Sequence, residues 1–101
     1  MARGFIGVLS FELHMPESTS LKGKRKHLLA TKSRLERKLG ASVAEVDFHD
    51  LWQRSRLTMA VVRRDQSSVL HALEEAERYL SSQEYELVGR SRTVLSVEDD
   101  L

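Results

Sequence analysis

The chain of 101 residues has no cysteine. Neither a disulfide framework nor a thiolate metal site can be built from it. That fits a reducing compartment, and the expected location is the cytoplasm. Proline occurs once and tryptophan once, and aromatic residues make up 6% of the chain. No apolar run approaches the length of a membrane span. The opening run Phe5-Ile6-Gly7-Val8-Leu9 is broken by Gly7 and Ser10 and ends at Glu12, so it reads as a strand and not as a signal peptide. There is no repeat, linker or low-complexity tract. No nucleophile sits at a fixed spacing from a base and its orienting partner. Acylphosphatases cradle phosphate in a glycine-rich loop carrying arginine. The corresponding loop here, Met15-Pro16-Glu17-Ser18-Thr19, has neither residue. These absences argue against an enzyme and predict no cofactor and no metal.

What is present is a single-domain complement, 41% hydrophobic and 31% charged. Net charge is +1, but the charges are segregated. Residues 20–39 hold Lys22, Lys24, Arg25, Lys26, Lys32, Arg34, Arg37 and Lys38 against Glu36 alone. Residues 65–83 hold Asp65, Glu74, Glu75 and Glu77 against Arg78. One basic helix and one acidic helix are hidden by the overall balance.

The hydrophobic pattern predicts six elements over residues 1–101. Residues 5–14 alternate, with Phe5, Gly7, Leu9, Phe11 and Leu13 on one face. Ser20 is the expected N-cap of a helix from Leu21 to Leu39, ended by Gly40. Its apolar stripe is Leu21, Leu28, Leu35 and Leu39, with Arg25 and Lys32 beside it burying their stems. Residues 42–49 form a second strand, with Ala44, Val46 and Phe48 expected inward. Residues 54–63 form a third, with Leu57, Met59 and Val61 inward. Asp65 caps a second helix to about Ser81, buried through Val69, Ala72, Leu73, Ala76 and Leu80. Residues 86–97 form the last strand, anchored by Val94, Leu95 and Val97, and Asp99 and Asp100 make a frayed acidic end. The order β-α-β-β-α-β predicts an α+β ferredoxin-like sandwich. Its four-stranded antiparallel sheet should run 4-1-3-2, with both helices on one face.

Residues 43–55, Val-Ala-Glu-Val-Asp-Phe-His-Asp-Leu-Trp-Gln-Arg-Ser, carry a resemblance to a known family. With Ser20-Leu21-Lys22-x-Lys24-Arg25 and Gly7-Val8-Leu9, the chain closely resembles the YlxP-like family of small bacterial proteins, from about residue 4 to residue 97. The resemblance implies a ferredoxin-like fold. It implies no established activity, and it suggests a role near RNA or the ribosome. Relatives commonly carry Glu at the position of Gly23, where it would complete a capping box with Ser20. Gly23 forfeits that box and costs about 1 kcal/mol relative to a good helix former.

Four features are candidates for function. The basic helix start opposes the helix dipole and favours a phosphate. Lys22, Lys24, Arg25, Lys26, Arg34 and Arg37, helped by the Ser20–Gly23 backbone, would contact nucleic acid. The alternative is a solvated face in which Arg25 and Lys32 pair with Glu74 or Glu77. The open sheet face should carry Ile6, Val8, Ser10, Arg56, Thr58, Ala60 and Val62. None of these is aromatic, so bases have nothing to stack on there. Ile6, Val8, Ala60 and Val62 make a candidate homodimer patch. Glu12, His14, Asp47, His49, Arg54 and Arg56 should gather at one end of that face. They read as a metal or acid–base site, as a phosphate site, or as a cross-strand ion-pair network. Trp52 is either an interface anchor or a core cap beside Pro16. His27 and His71 are expected in solvent, and Met15 and Met59 in packing.

The leading expectation is a non-enzymatic protein associated with RNA or the ribosome. The alternative is a homodimeric interaction module with no nucleic-acid role.

Overall fold

The computed structural model describes residues 2–98. The expected acidic end at Asp99 and Asp100 lies outside the described residues. The elements are β1 (Ala2–His14), α1 (Leu21–Leu39), β2 (Ser42–Asp47), β3 (Arg54–Arg63), α2 (Gln66–Ser81) and β4 (Glu86–Glu98). The strands form one antiparallel sheet in the order β2-β3-β1-β4, the predicted order read from its other edge. Two helices lie against the sheet, and the fold is ferredoxin-like.

Local chemistry sets the boundaries. Ser20 adopts extended geometry, and its Oγ accepts from the Gly23 amide at 3.0 Å. Gly40 closes α1 in the left-handed conformation at φ 65°, where a residue without Cβ has no steric penalty. The Arg63 guanidinium donates to the Leu39 carbonyl at that same end. Asp65 caps α2 by accepting from the Ser68 amide at 2.8 Å. Gly89 is the extra residue of a bulge in β4, between the pairs Phe11–Arg90 and Glu12–Val88, and its φ of 57° supplies the left-handed kink.

The core lies between sheet and helices. β1 gives Leu9, Phe11 and Leu13, β3 gives Leu57, Met59 and Val61, and α2 gives Val69, Ala72, Leu73, Ala76 and Leu80. Those faces match the alternation and the helical stripe read from the sequence. Val94 of β4 packs partly against this core, whereas Leu95 is half exposed on the other side of the sheet.

Two assignments differ. In β2, Val43 is buried and Glu45 half-buried, while Ala44 and Val46 are exposed. The strand has the opposite face inward from the one expected. Its ladder with β3 shifts between Glu45 and Asp47, and Phe48 turns out of the strand at φ 65°. The alternation Ala44-Val46-Phe48 therefore never reaches one face. In α1, the buried stripe includes Lys24 and Thr31 beside Leu28, Leu35 and Leu39. Thr31 meets the Tyr85 hydroxyl at 3.0 Å. Burial pushes the Tyr85 phenol up to about 12, against the opposing hydrogen bond from Thr31.

Candidate nucleic-acid interface

The α1 helix presents its cations in three environments. Lys22, Arg25, Lys26, Arg34, Arg37 and Lys38 are exposed, and Lys32 is half-buried. Arg25 therefore does not bury its stem as its place beside the stripe suggested, while Lys32 does in part. Among the described residues none of these seven pairs with a carboxylate. Arg34 instead lies over the Tyr79 ring, 5.7 Å from its centroid. Of the acidic partners expected on α2, the exposed Glu74 makes no ion pair with α1, and Glu77 is turned to the sheet. Glu77 binds Arg92 and, at 3.7 Å, Arg90, both on β4. The Arg92 guanidinium holds the Glu77 carboxyl below its usual range against the effect of burial.

Lys24 is the exception and a correction. Its side chain is 1% exposed. Its Nζ donates to the Phe48 carbonyl at 2.6 Å and lies 3.1 Å from Glu45 Oε2. The Ser55 hydroxyl donates to the same carboxylate oxygen at 2.6 Å. Lys24 cannot reach a phosphate because it is folded beneath α1 and neutralised by the inward face of β2. The left-handed turn at Phe48 aims that carbonyl at the ammonium, so the strand's irregular end and the buried cation belong to one arrangement. Burial would raise the Glu45 carboxyl. The bonds from Ser55 and Lys24, with the more distant His49, outweigh it and hold the carboxyl below its usual range.

The start of α1 offers less free backbone than expected. The Gly23 amide is taken by Ser20 Oγ, and Ser18 Oγ donates to the Ser20 carbonyl. A Cβ at position 23 would stand 3.4 Å from Ser20 Oγ, in ordinary contact. Space therefore does not require the glycine. The cationic surface is instead extended along the helix. Lys26, Leu29, Arg34, Arg37, Lys38 and Tyr79 border a shallow depression of about 780 Å³.

The polar cluster on the open face assembles only in part. Arg54 binds Glu12 through two bonds, Nε to Oε2 at 3.0 Å and Nη2 to Oε1 at 3.2 Å. His14 Nε2 lies 2.7 Å from Glu12 Oε2. Arg54 holds the Glu12 carboxyl below its usual range, with His14 adding to the effect and partial burial opposing it. Arg54 also stacks 4.1 Å over the Phe48 ring. Asp47 and His49 are not part of this group. Asp47 accepts from the Phe48 amide at 2.8 Å, and His49 approaches the Glu45 carbonyl at 3.2 Å. Arg56 faces Asp47 across the ladder and Glu12 on its other side, with no ion pair to either. Among the described residues no group of acids and histidines could hold a metal ion. What assembles is the cross-strand ion-pair arrangement, in a form that fixes Arg54 and leaves Arg56 outside it.

Beyond the Ser10–Thr58 hydrogen bond at 3.3 Å, the far end of the open face is mainly aliphatic. Ile6 pairs with Val62 on one side and Leu95 on the other, which makes an aliphatic row across three strands. Val62 is 66% and Leu95 50% exposed. Val8 and Ala60, half-buried, form the next row with Thr93. Leu95 was expected only as a strand anchor. The signal that could have placed it on this face is its parity with Thr93 and Val97. Trp52 is 53% exposed at the β2–β3 connection and does not cap the core. It borders a surface depression with Pro16, Leu51 and Arg54.

Among the described residues no helix is long and apolar enough to cross a membrane. Among solved structures, the de novo designed protein Foldit4 is similar over 90% of this chain and 97% of its own, at 11% identity and a TM-score of 0.50. The de novo designed protein Ferredog-Diesel is similar over 85% of this chain and 83% of its own, at 19% identity and a TM-score of 0.45. A Bacillus cereus protein described as an antibiotic biosynthesis monooxygenase is similar over 95% and 94%, at 11% identity and a TM-score of 0.45. At these identities the likeness concerns the fold alone. No curated protein matches the chain. One family model, described as a protein of unknown function (DUF503), matches residues 6–92. The chain belongs to the DUF503 family.

Proposed function

We propose that this is a non-enzymatic cytoplasmic protein that associates with RNA or the ribosome by contacting phosphates through α1. One observation carries the reading. Seven α1 cations have no carboxylate partner among the described residues, although Lys24 on the buried side of the same helix and Arg54, Arg90 and Arg92 on the strands are paired. A patch left uncompensated by the chain's own acids attracts polyanions and releases their counterions on binding. Lys22, Arg25, Lys26, Arg34 and Arg37 supply the contacts, with Lys32 and Lys38 beside them. The resemblance to the YlxP-like bacterial proteins points the same way. The test is RNA binding against salt concentration by the wild type and by Lys22→Glu/Lys26→Glu/Arg37→Glu, with folding checked by circular dichroism. Removing three phosphate contacts should make the logarithmic salt slope shallower by about 2. Equal binding by the two proteins would remove the reading.

The Ile6–Val62–Leu95 row favours a second reading, a homodimer joined through the open sheet faces. Symmetric pairing of a self-complementary apolar patch is the commonest oligomeric solution. The wild type should sediment as a dimer, and Val62→Asp/Leu95→Asp as a folded monomer. A wild type that stays monomeric at high concentration would exclude this use of the face.

A further inference from the structure

The exposed strip of α1 is divided. Lys22, Arg25 and Lys26 form a cationic group near its start, and Arg34, Arg37 and Lys38, with the exposed Glu36 among them, form a second group of net positive charge near its end. Between them the outward positions are the exposed Leu29, at 66%, and Ala30, with the half-buried Ser33 beside them, all uncharged. Lys32 sits beside the buried stripe, off this strip, and is half-buried. From Lys26 to Arg34 and Arg37 the axis advances by about 12 and 16 Å at the α-helical rise. We propose that α1 lies across a groove of double-helical RNA, with one cationic group on each flanking phosphate backbone and the uncharged middle over the groove. This rests on the phosphate-binding reading above and specifies its substrate.

Three observations select this ligand. A single strand is gripped by a continuous basic track with aromatic platforms under successive bases. Here the charge is interrupted, the sheet face has no aromatic on its central strands, and Tyr79 is already stacked by Arg34. Two cationic groups held apart on a rigid rod suit two backbones better than one. The helix is also not free to sink into a deep groove. Arg34, Leu35, Lys38 and Leu39 of α1 share a crevice with Arg78 and Tyr79 of α2, so the two helices stand in one layer. The B-form major groove is about 8.5 Å deep and takes a projecting helix that reads base edges. Leu29 and Ala30 offer base edges no hydrogen bond, and the single hydroxyl of the half-buried Ser33 makes no bidentate pair with a base. The minor groove of A-form RNA is wide and shallow and displays 2′-hydroxyls. A flush helix can rest across it, with the Ser33 hydroxyl as its one polar contact in the middle.

The experiment measures fluorescence anisotropy with a blunt RNA duplex of about 20 base pairs. One of its strands alone and the DNA duplex of the same sequence serve as comparisons, each over a range of salt. The RNA duplex should bind about tenfold or more tighter than either. Lys22→Glu/Lys26→Glu and Arg34→Glu/Arg37→Glu should each abolish that preference, because either group alone reaches one backbone. All four side chains are exposed, so both variants should fold. Equal or tighter binding of the single strand or of the DNA duplex would overturn the duplex-RNA assignment while leaving phosphate binding intact. No binding of any probe at low salt would overturn both.

Discussion

Glu45→Ala should cost the fold about 3 kcal/mol, the lower end of what breaking a buried ion pair costs. The substitution strands the Lys24 ammonium, which is 1% exposed and would keep only the Phe48 carbonyl. The converse change should be milder. Lys24→Met leaves Glu45 without its cation, but that carboxylate is 19% exposed and keeps the Ser55 hydroxyl. Chemical denaturation of both variants reads the asymmetry directly. Equal losses would mean that Lys24 escapes to water and is not held as described. Lys24→Met/Glu45→Leu should recover most of the loss, since a well-packed apolar pair can replace a buried ionic one. The same pair predicts a pH dependence. The Glu45 carboxyl is held below its usual range in the fold, so its stabilisation is complete above the ordinary carboxylate range. It is lost as pH falls through the lowered value. Glu12, Asp65 and Glu77 are shifted in the same direction and add to the acid sensitivity. The difference between wild type and Glu45→Ala should therefore shrink in acid rather than vanish at neutral pH.

Gly7→Ala should destabilise the protein by about 2 kcal/mol, although alanine is the better residue in an ordinary strand. A Cβ at position 7 would stand 2.5 Å from Val69 Cγ1, 3.3 Å from Val61 Cγ2 and 3.4 Å from Leu73 Cδ1. All three neighbours are at most 1% exposed and have no room to retreat. The glycine lets α2 settle directly on β1, and a methyl group there must lift the helix or bend the strand. Val69→Ala removes the clashing atom at the expense of a cavity. Combined with Gly7→Ala it should be more stable than the sum of the two losses, with a coupling of about 1 kcal/mol or more. Thermal unfolding of the four proteins of this cycle measures the coupling. Additive losses would show that the sheet and α2 already adjust to the extra atom.

These two sites also show what the sequence made legible. Regular elements were readable because their periods are long and their ends carry distinctive chemistry. Ser20, Gly40 and Asp65 mark helix ends, β1 and β3 alternate without interruption, and α2 has one apolar stripe. β2 was misread because it has six residues and two competing alternations. Ala44-Val46-Phe48 is the more apolar set, but the ladder shift and the left-handed Phe48 break it. Val43-Glu45 goes inward because Glu45 answers a cation on the other layer. Lys24 was misread for the complementary reason. Residue type placed it with the surface lysines, whereas its spacing from Leu21, Leu28, Leu35 and Leu39 put it on the buried stripe. Each error hid the other, since neither half of a pair across two layers has a local signature. In the candidate site, exposed Lys22, Lys26, Arg34, Arg37 and Lys38 were legible from helical phase, whereas Arg25 was not. Strand order brought Glu12, His14, Arg54 and Arg56 to one end of the sheet but left open which arginine Glu12 would bind, while Asp47 and His49 were lost to the irregular turn after β2.

The sheet separates two surfaces of opposite character. The cations ride on the helical layer, and the aliphatic row lies behind it. An occupant on either side would leave the other open. If two chains met back to back through Ile6, Val62 and Leu95, each would turn its α1 outward, away from its twin. If α1 binds duplex RNA as proposed, such a pair would be bivalent by construction, able to clamp two separate segments and to gain avidity from holding both.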